Sequence, residues 1–234
     1  MLPVAILAGG VATRLRPMTE TIPKSLVDVA GKPFIVRQLE QLRSQGAARV
    51  VLCVGHLGGH VEAVVGDGSA FGLAVLYARD RAKLLGTGGA IRNALPLLGR
   101  SFFVLYGDSY LPIDFRAVER DFLARGKPAL MTVLRNTDRW DKSNVEFRDG
   151  LIIEYNKRTP RREMAYIDYG LGVLTAAALA DAPTARAFDL ADVYHELSLR
   201  GELAGHEVLE RFYEIGSHKG LEETIRFFRE GAGA

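Results

Sequence analysis

The sequence has a single cysteine and no long apolar run. One cysteine among 234 residues cannot form an internal disulfide, which is typical of a protein from a reducing compartment. No apolar stretch approaches the roughly 20 residues that span a bilayer, and no signal-peptide pattern precedes the first apolar run. Charges nearly balance, with 30 Lys and Arg against 28 Asp and Glu. The composition therefore predicts a cytoplasmic globular protein whose main partner is neither a membrane nor a nucleic acid.

The sequence also shows no convincing Ser-His-Asp or Cys-His arrangement, and these are the sets of residues that covalent catalysis uses. The cysteine, Cys53, lies in the apolar run VVLCV and is predicted to be a buried small side chain. A P-loop is excluded because Lys24-Ser25 follows Pro23, with no glycine at the right spacing. The segment GTGGAI at 86–91 matches only half of a dinucleotide fingerprint, and it follows the third strand instead of the first. A dinucleotide-dependent oxidoreductase is therefore disfavoured.

Short apolar runs alternate with amphipathic segments in the first half of the chain. Strands are predicted at 3–8, 48–55, 73–78 and 101–108, with helices at 33–46, around 58–65, after 86 and at 114–126. Strands separated by helices of this length predict a Rossmann-like α/β fold with a mixed, mostly parallel sheet flanked by helices.

The second half of the chain is predicted to mix strands and helices without the regular alternation of the first half. Further strands are predicted at 128–134, 165–175, 203–208 and 211–215, a hairpin at 144–157, and helices near 189–200 and at 217–230. Asp149-Gly150 gives the hairpin its turn signal. Because no linker, repeat or low-complexity tract interrupts the chain, we expect one domain over 1–234.

Three cations stand in the Gly- and Pro-rich stretch LAGGVATRLRPMTETIPKSL, which spans residues 7–26. Such a loop is either an ordinary solvated surface or a cradle for phosphates. Gly9 and Gly10 allow backbone N–H groups to approach a ligand closely. Arg14 offers a planar fork for phosphate oxygens and Lys24 a compact point charge. Ligands of open α/β sheets bind at the carboxyl ends of the strands, where this loop begins.

Two carboxylates follow strands that are distant in the sequence. Asp108 ends the apolar run SFFVLYGD, and Glu214 lies in RFYEIGS. A carboxylate at a strand tip can hold a divalent metal over bound phosphates, although an aspartate in a turn or at a helix start is an equally good reading of Asp108 alone. Together with the cationic loop, the pair suggests a site for a metal and a nucleotide.

These segments in combination resemble the sugar-1-phosphate nucleotidyltransferases. The first stretch follows the signature L-x-G-G-x-G-T-R-L-x-P-x-T…P-K-x-L, and GKPFI, LGTGGAI, GDSY, the Asp-Gly hairpin and DYGLGVL follow in the family's order. Within the family, the chain is similar to short bacterial members that act on heptose, hexose or amino-sugar 1-phosphates, such as heptose 1-phosphate guanylyltransferases. The resemblance implies that an NTP and a sugar 1-phosphate give an NDP-sugar and pyrophosphate, and it suggests a homo-oligomer.

The resemblance also implies roles for individual residues. Catalysis is assigned to Arg14, Lys24 and Asp108, with Mg²⁺ held by Asp108 and Glu214. The nucleotide is assigned to Leu7, Ala8, Gly9, Gly10, Thr13, Arg14, Lys24, Asp80, Gly86 and Gly88. The sugar phosphate is assigned to Asn144, Lys157, Asp168 and Gly170. Residues 1–130 would then form the nucleotide-binding part, and residues 131–234 the sugar-binding part, of the one domain.

Several positions depart from the family pattern. Ala12 and Asn144 replace glycines, Glu214 replaces an aspartate, and Asp168 replaces an asparagine. The family's E-K-P motif is reduced to EYNKRTP, in which either Lys157 or Arg158 can take the role of its lysine, and we favour Lys157. Two alternatives to the sugar nucleotidyltransferase stay open: a non-catalytic sensor of nucleotide-sugars, and a transferase for a non-sugar phosphate or phosphonate.

Asp80 bears on the choice of base, because it aligns with a Gln or Glu that contacts the base edge in other members of the family. An ionised aspartate only accepts hydrogen bonds, and guanine offers two adjacent donors, whereas uracil and thymine offer one donor flanked by acceptors. Asp80 therefore favours GTP. The alternative is that Asp80 pairs with Arg79 or Arg81 at the surface.

Overall fold

The computed structural model describes residues 1–10, 12–80, 84–183 and 186–231. Its strands are β1 (Val4–Leu7), β2 (Asp28–Val29), β3 (Lys32–Pro33), β4 (Arg49–Val54), β5 (Ala74–Arg79), β6 (Ser101–Tyr106), β7 (Ser109–Tyr110), β8 (Ala129–Arg135), β9 (Val145–Arg148), β10 (Leu151–Tyr155), β11 (Tyr166–Thr175), β12 (Leu203–Val208) and β13 (Tyr213–Glu214). Its α-helices are α1 (Phe34–Ser44), α2 (Gly58–Val65), α3 (Gly86–Leu98), α4 (Phe115–Arg125), α5 (Leu190–Leu199) and α6 (His218–Gly231). Arg81, on which one alternative for Asp80 depends, lies outside the described residues.

Nine of these strands form one sheet in the order β5-β4-β1-β6-β11-β8-β12-β10-β9. The first half of the chain builds the parallel part, in which β5, β4, β1 and β6 pair in register. Among the described strands of the second half, only β12 and β8 pair in parallel, while β11 and the β9–β10 hairpin run antiparallel to their neighbours. The mixed α/β prediction is confirmed. Its parallel character belongs to the first half, because the second half joins neighbouring strands by hairpins and long returns instead of helical crossovers.

Helices cover both faces of the sheet, and alternate residues of each strand point to opposite faces. Along β1, Val4 and Ile6 join the buried cluster under α1, α2 and α4, whereas Ala5 joins the cluster under α3 and α5. Strands buried on both faces read as continuous apolar runs, which is why they could be predicted from the sequence. Within the described residues, no helix combines the length and the apolar character that crossing a membrane requires.

The strand predicted at 211–215 is shorter than expected and belongs to a separate pair. Only Tyr213 and Glu214 are extended, and they pair antiparallel with Tyr110 and Ser109 of β7. This small ribbon carries the end of the chain back to the carboxyl end of β6. It is therefore the element that brings Glu214 to Asp108.

Candidate active site

A cavity of about 270 Å³ opens where β1, β4, β5 and β6 end. Its lining includes Leu7, Ala8, Gly9, Gly10, Ala12, Lys24, Ser25, Cys53, Asp80, Leu84, Gly86, Thr87, Ala90, Tyr106, Gly107 and Asp108. The carboxyl edge of a parallel sheet is the expected place for a ligand in this architecture. Eight of the residues predicted to act in the site line this cavity: Leu7, Ala8, Gly9, Gly10, Lys24, Asp80, Gly86 and Asp108.

The floor of the cavity is built from strand ends that approach each other closely. Gly107 donates its N–H to the carbonyl of Leu7 at 3.1 Å, and Ala8 donates its N–H to the carbonyl of Cys53 at 2.9 Å. A Cβ on Gly107 would overlap the carbonyl oxygen of Leu7. The glycine before Asp108 is therefore required by the packing of β6 against β1, and it fixes where the Asp108 side chain leaves the strand.

Lys24 and Asp108 form an ion pair at the cavity wall. Lys24 begins the 3₁₀ turn Lys24–Leu26, and its Nζ lies 2.6 Å from Oδ2 of Asp108. The two residues are 84 positions apart in the sequence. Asp108 lies in the turn between β6 and β7 and starts no helix, so the turn reading is confirmed and the helix-start reading is wrong. The pair places a cation and an anion at one point of the cavity.

Glu214 reaches the same point from β13. The position at which a Cβ of Gly216 would stand is 2.7 Å from Oε2 of Glu214, 3.3 Å from Oδ2 of Asp108 and 3.4 Å from Nζ of Lys24. Two carboxylates and an ammonium group thus surround a space that a glycine keeps open. Carboxylate oxygens are the donors that Mg²⁺ prefers, so these residues fit the metal that the resemblance implies.

Without further ligands, the two carboxylates would bind a metal only weakly. The described part of the chain contains no cluster of three or more His, Cys, Asp or Glu side chains arranged to bind a metal. Mg²⁺ prefers six oxygen ligands, and it is commonly bound through one or two carboxylates together with water and substrate phosphates. The pair is therefore suited to a metal that arrives with a nucleotide.

Thr13 and Arg14 lie outside the cavity lining. Both side chains are exposed in the 3₁₀ turn Thr13–Leu15, which follows Ala12. Ala12 adopts the left-handed conformation, with φ 50° and ψ 46°. This is the position at which the family signature has glycine, and the Cβ is therefore accommodated at the expense of backbone strain.

Replacing Ala12 with glycine is expected to stabilise the protein. A left-handed alanine costs about 1–2 kcal/mol, while glycine loses about 0.5–1 kcal/mol more backbone entropy on folding. The melting temperature should rise by about 1–4 °C in a thermal unfolding experiment. The matched control is Ala63→Gly at an exposed position of α2, which should lower the melting temperature because its backbone is helical. A decrease for both variants would contradict the strain argument.

Asp80 lines the cavity instead of pairing with its neighbour Arg79. The guanidinium of Arg79 is engaged with Glu62, at 2.6 Å from Nε to Oε1. Asp80 accepts the N–H of Leu85 at 3.2 Å, and burial raises the pKa of its carboxyl although that hydrogen bond lowers it. The surface pair with Arg79 is therefore excluded. A carboxylate beside the cavity remains available to a ligand.

Gly86 and Gly88 take different places around the start of α3. Gly86 lines the cavity with a φ of +73°, and a Cβ there would overlap the backbone oxygen of Phe188. Gly88 lies outside the lining: it donates its N–H to the carbonyl of Phe188 at 3.1 Å, and a Cβ would overlap the Phe188 ring. Both glycines therefore allow the chain before α5 to pack against α3.

Three of the residues assigned to the sugar phosphate are linked by hydrogen bonds. Asn144 accepts the N–H of Asp168 through Oδ1 at 3.0 Å, and Asp168 accepts the N–H of Gly170 at the same distance. Burial raises the pKa of the Asp168 carboxyl to about 6, against the lowering effects of the Gly170 N–H and the nearby charge of Lys157. The charge of Lys157 therefore acts on this group.

Arg158, the alternative to Lys157, is already paired. Its guanidinium lies 2.7 Å from Oδ1 of Asp192 on α5. Lys157 has no ion pair with a described residue, although its charge also helps to lower the pKa of Asp189 against the effect of burial. The geometry favours Lys157 as the free cation of this segment.

Sequence reasoning missed the tyrosines around Asp168. Burial raises the pKa values of Tyr106, Tyr155 and Tyr194, and the charge of Asp168 raises each of them further. Tyr155 and Tyr194 meet edge to face with ring centroids 6.1 Å apart. These residues come from β6, β10 and α5, so no local motif could have indicated them.

Cys53 also lines the cavity, but as an inert side chain. Burial raises the pKa of its thiol to about 12, and the charge of Asp80 adds to the effect. The thiolate, which is the nucleophilic form, is therefore absent at neutral pH. The prediction of a buried small side chain is confirmed.

Comparison with known proteins identifies the family of the chain. Residues 4–144 match the family described as nucleotidyl transferase. The chain belongs to this family. The resemblance to sugar-1-phosphate nucleotidyltransferases is thereby confirmed, and so is the fold that it implied.

Named relatives within the nucleotidyl transferase family differ in base and sugar. N-acetylmuramate alpha-1-phosphate uridylyltransferase of Neisseria meningitidis serogroup B is 46% identical over 113 residues, 48% of this chain and 49% of that protein. D-glycero-alpha-D-manno-heptose 1-phosphate guanylyltransferase of Campylobacter jejuni is 27% identical over 210 residues, 89% of this chain and 85% of that protein. The crystal structure of HddC from Yersinia pseudotuberculosis complexed with GMP-PN has a TM-score of 0.80 at 24% identity, covering 97% of this chain and 100% of that chain. The chain spans about half the length of several curated relatives that it matches.

Proposed function

We propose that the protein transfers a nucleotidyl group from a nucleoside triphosphate to a sugar 1-phosphate and releases pyrophosphate. The observation that carries the proposal is the convergence of Lys24, Asp108 and Glu214 around the open space at Gly216. This convergence lies at the wall of a cavity that the loop after β1 and the start of α3 enclose. Nucleoside triphosphates are cytoplasmic substrates, so we place the reaction in the cytoplasm.

The chemistry needs charge neutralisation more than it needs a protein nucleophile. An oxygen of the sugar 1-phosphate attacks the α-phosphorus, the new P–O bond forms, and the bond from the α-phosphorus to the bridging oxygen breaks. Pyrophosphate leaves with that electron pair. Because the attacking group is already an anion, no side chain must remove a proton, and catalysis depends on alignment and electrostatic stabilisation.

The residues have separate tasks in this scheme. Lys24 would exchange its partner Asp108 for phosphate oxygens of the bound nucleotide, and the exposed Arg14 would close on the outer phosphates. Mg²⁺, bound by Asp108 and Glu214, would supply a Lewis acid that neutralises phosphate charge. Residues 1–130 would bind the nucleotide and residues 131–234 the sugar phosphate, within one domain.

The acceptor would be held by the second half of the chain. Lys157 would contact the phosphate of the sugar, since Arg158 is committed to Asp192. Asp168, fixed by the N–H of Gly170, would accept hydrogen bonds from sugar hydroxyls. Asn144 would act through Asp168, whose N–H it already holds.

GTP is the nucleotide that we favour, on the basis of Asp80. Among the residues that the structure describes, one hydrogen bond from Leu85 leaves most of the acceptor capacity of the carboxylate free. The two adjacent donors of guanine can both be accepted by such a group. The acceptors that flank the single donor of uracil would instead face the carboxylate.

Replacing Asp80 with glutamine is expected to shift base selectivity. An amide both donates and accepts, so the ratio of kcat/KM for GTP over UTP should fall by about 10- to 100-fold, as expected for a paired hydrogen-bond contact to a base. The ratio is obtained from pyrophosphate release with each nucleotide. Asp149→Asn, at the exposed hairpin turn, removes a charge of the same sign and should leave the ratio unchanged. An unchanged ratio in Asp80→Gln would rule out base reading by this residue.

The proposed function is tested by crossing nucleotides with acceptors. Pyrophosphate release is measured with Mg²⁺ for the four ribonucleoside triphosphates and dTTP against a panel of sugar 1-phosphates. Release with one pair, lost in Asp108→Asn, identifies both substrates. Calorimetric binding of nucleotide without release on any sugar, phosphate or phosphonate would favour the non-catalytic sensor. Release only with a non-sugar phosphate or phosphonate would correct the acceptor and keep the reaction class.

A further inference from the structure

Gly220 lies in the first turn of α6, in contact with the carboxyl group of Glu214. A Cβ built on Gly220 would overlap both Oε1 and Cδ of Glu214, and it would stand 2.8 Å from the backbone oxygen of Glu214. Closely packed interiors do not admit such overlap, so one of the two residues would have to move. The present conformation of Glu214 therefore requires that residue 220 has no side chain.

A set of hydrogen bonds holds the carboxyl group in this place. The hydroxyl of Ser217 donates to Oε1 at 2.6 Å, and the N–H of Ser217 donates to Oε2 at 3.1 Å. The N–H of Gly216 also donates to Oε2. The N–H of Gly220 in turn donates to the hydroxyl of Ser217 at 3.0 Å, which orients that hydroxyl. The start of a helix favours a negative charge, so the arrangement is electrostatically favourable as well.

This placement directs one oxygen of Glu214 to the centre of the proposed metal site. Oε2 is the oxygen that shares the space over Gly216 with Oδ2 of Asp108 and Nζ of Lys24. Glutamate is one methylene longer than the aspartate of the family pattern. The side chain of Glu214 passes over Gly220, and this path accommodates the extra methylene.

We propose that Gly220 is a positioning residue, whose missing side chain allows glutamate to serve as the second acidic metal ligand. The inference rests on the proposed function, through the assignment of the metal to Asp108 and Glu214. Glu214 and Gly220 then act as a pair. A side chain at position 220 displaces the carboxylate from the site. Shortening Glu214 to aspartate removes the conflict with the carboxyl group and leaves only the closer approach to the backbone oxygen of residue 214.

The test uses four variants of the full chain: Gly220→Ala, Glu214→Asp, the double variant, and Gly59→Ala as control. Gly59 is an exposed helical glycine, and a Cβ there would have no heavy atom within 4 Å. Mn²⁺ binding is measured by water-proton relaxation with the α,β-methylene analogues of GTP and of UTP. These analogues cannot release pyrophosphate, so the readout is independent of turnover. Melting temperatures are recorded for every variant.

Gly220→Ala should weaken Mn²⁺ binding by about 10- to 100-fold, the effect typical of groups that orient a metal ligand. The double variant should bind Mn²⁺ within about 3-fold of Glu214→Asp, because the shorter carboxylate no longer meets the new Cβ. The control should bind like the wild type and melt about 2 °C higher, owing to the helix preference of alanine. Rescue of folding and binding together in the double variant supports the proposal even if Gly220→Ala alone does not fold.

Wild-type binding in Gly220→Ala would overturn the inference, and so would a loss that Glu214→Asp fails to restore. A double variant that remains unfolded would overturn it too, because the decisive conflict would then lie with the backbone oxygen of residue 214 and not with the carboxyl group. Absence of Mn²⁺ binding in the wild type with both analogues would instead refute the metal assignment of the proposed function. The two failures are therefore distinguishable.

Discussion

Asp108→Asn is expected to lower kcat/KM for pyrophosphate release by at least about 10²-fold, the scale for loss of one electrostatic contact to a transition state. Asparagine has the shape of aspartate and keeps an oxygen, so the packing of Gly107 against Leu7 should persist. What is lost is the negative charge, on which both Lys24 and a metal depend. Mn²⁺ binding, measured with a non-reacting nucleotide analogue, should weaken in parallel with turnover.

A surface aspartate provides the matched control for this prediction. Asp181→Asn removes the same charge from a side chain that is 93% exposed and lies 3.9 Å from Arg200. It should change kcat/KM by less than about 2-fold, since such exposed pairs contribute little. Activity in Asp108→Asn within a few-fold of wild type, at saturating Mg²⁺, would remove Asp108 from the metal site and with it the central feature of the proposal.

The inner strands of the parallel half of the sheet, β1, β4 and β6, were predictable because they are buried on both faces. Each of β1, β4 and β6 reads as an apolar run that ends at a glycine or a small loop, and each is followed by a helix with one apolar face. The residues at the ends of these strands must meet at one edge. Lys24 and Asp108 could therefore be assigned to one site, although 84 positions separate them.

The second half was less predictable, since its contacts are long-range. The two-residue strand β13 is too short to have a periodicity of its own, and only its pairing with β7 reveals why Glu214 reaches Asp108. Gly220 looks in the sequence like an ordinary helix residue of low propensity. The structure explains the glycine by its contact with the Glu214 carboxyl group, and no pattern of neighbouring residues indicates that contact.

Gly88 shows how family resemblance and geometry can assign one residue differently. The resemblance predicts that Gly88 helps to form the base pocket, and that assignment stays a prediction. The structure gives it a packing reason, because the Phe188 ring occupies the space where its side chain would be. Gly86 lines the cavity and also meets the backbone of Phe188. The segment before α5 therefore explains both glycines without a ligand.

Lys24→Gln is expected to reduce turnover and to improve metal binding. This combination separates the interaction of Lys24 with the substrate phosphates from its ion pair with Asp108. Without the ammonium group, kcat/KM for pyrophosphate release should fall by about 10²- to 10³-fold, because positive charge near the reacting phosphates is lost. In the free protein, Nζ lies 2.6 Å from Oδ2 of Asp108 and would compete with a metal for that oxygen. Mn²⁺ binding in the absence of nucleotide should therefore tighten by about 2- to 5-fold, the strength of a partly exposed ion pair.

The control for Lys24 is an ion pair of the same length outside the cavity. Lys32 lies 2.6 Å from Glu40 with both side chains about half exposed, and Lys32→Gln should change neither turnover nor Mn²⁺ binding. Weaker Mn²⁺ binding in Lys24→Gln would mean that the lysine organises Asp108 instead of competing for it. Unchanged turnover would show that the cation of the P-K-x-L segment does not act on the phosphates. Opposite changes in the two measurements are what a lysine that leaves Asp108 for the nucleotide must produce, because the same charge hinders the metal before the nucleotide binds and stabilises the phosphates afterwards.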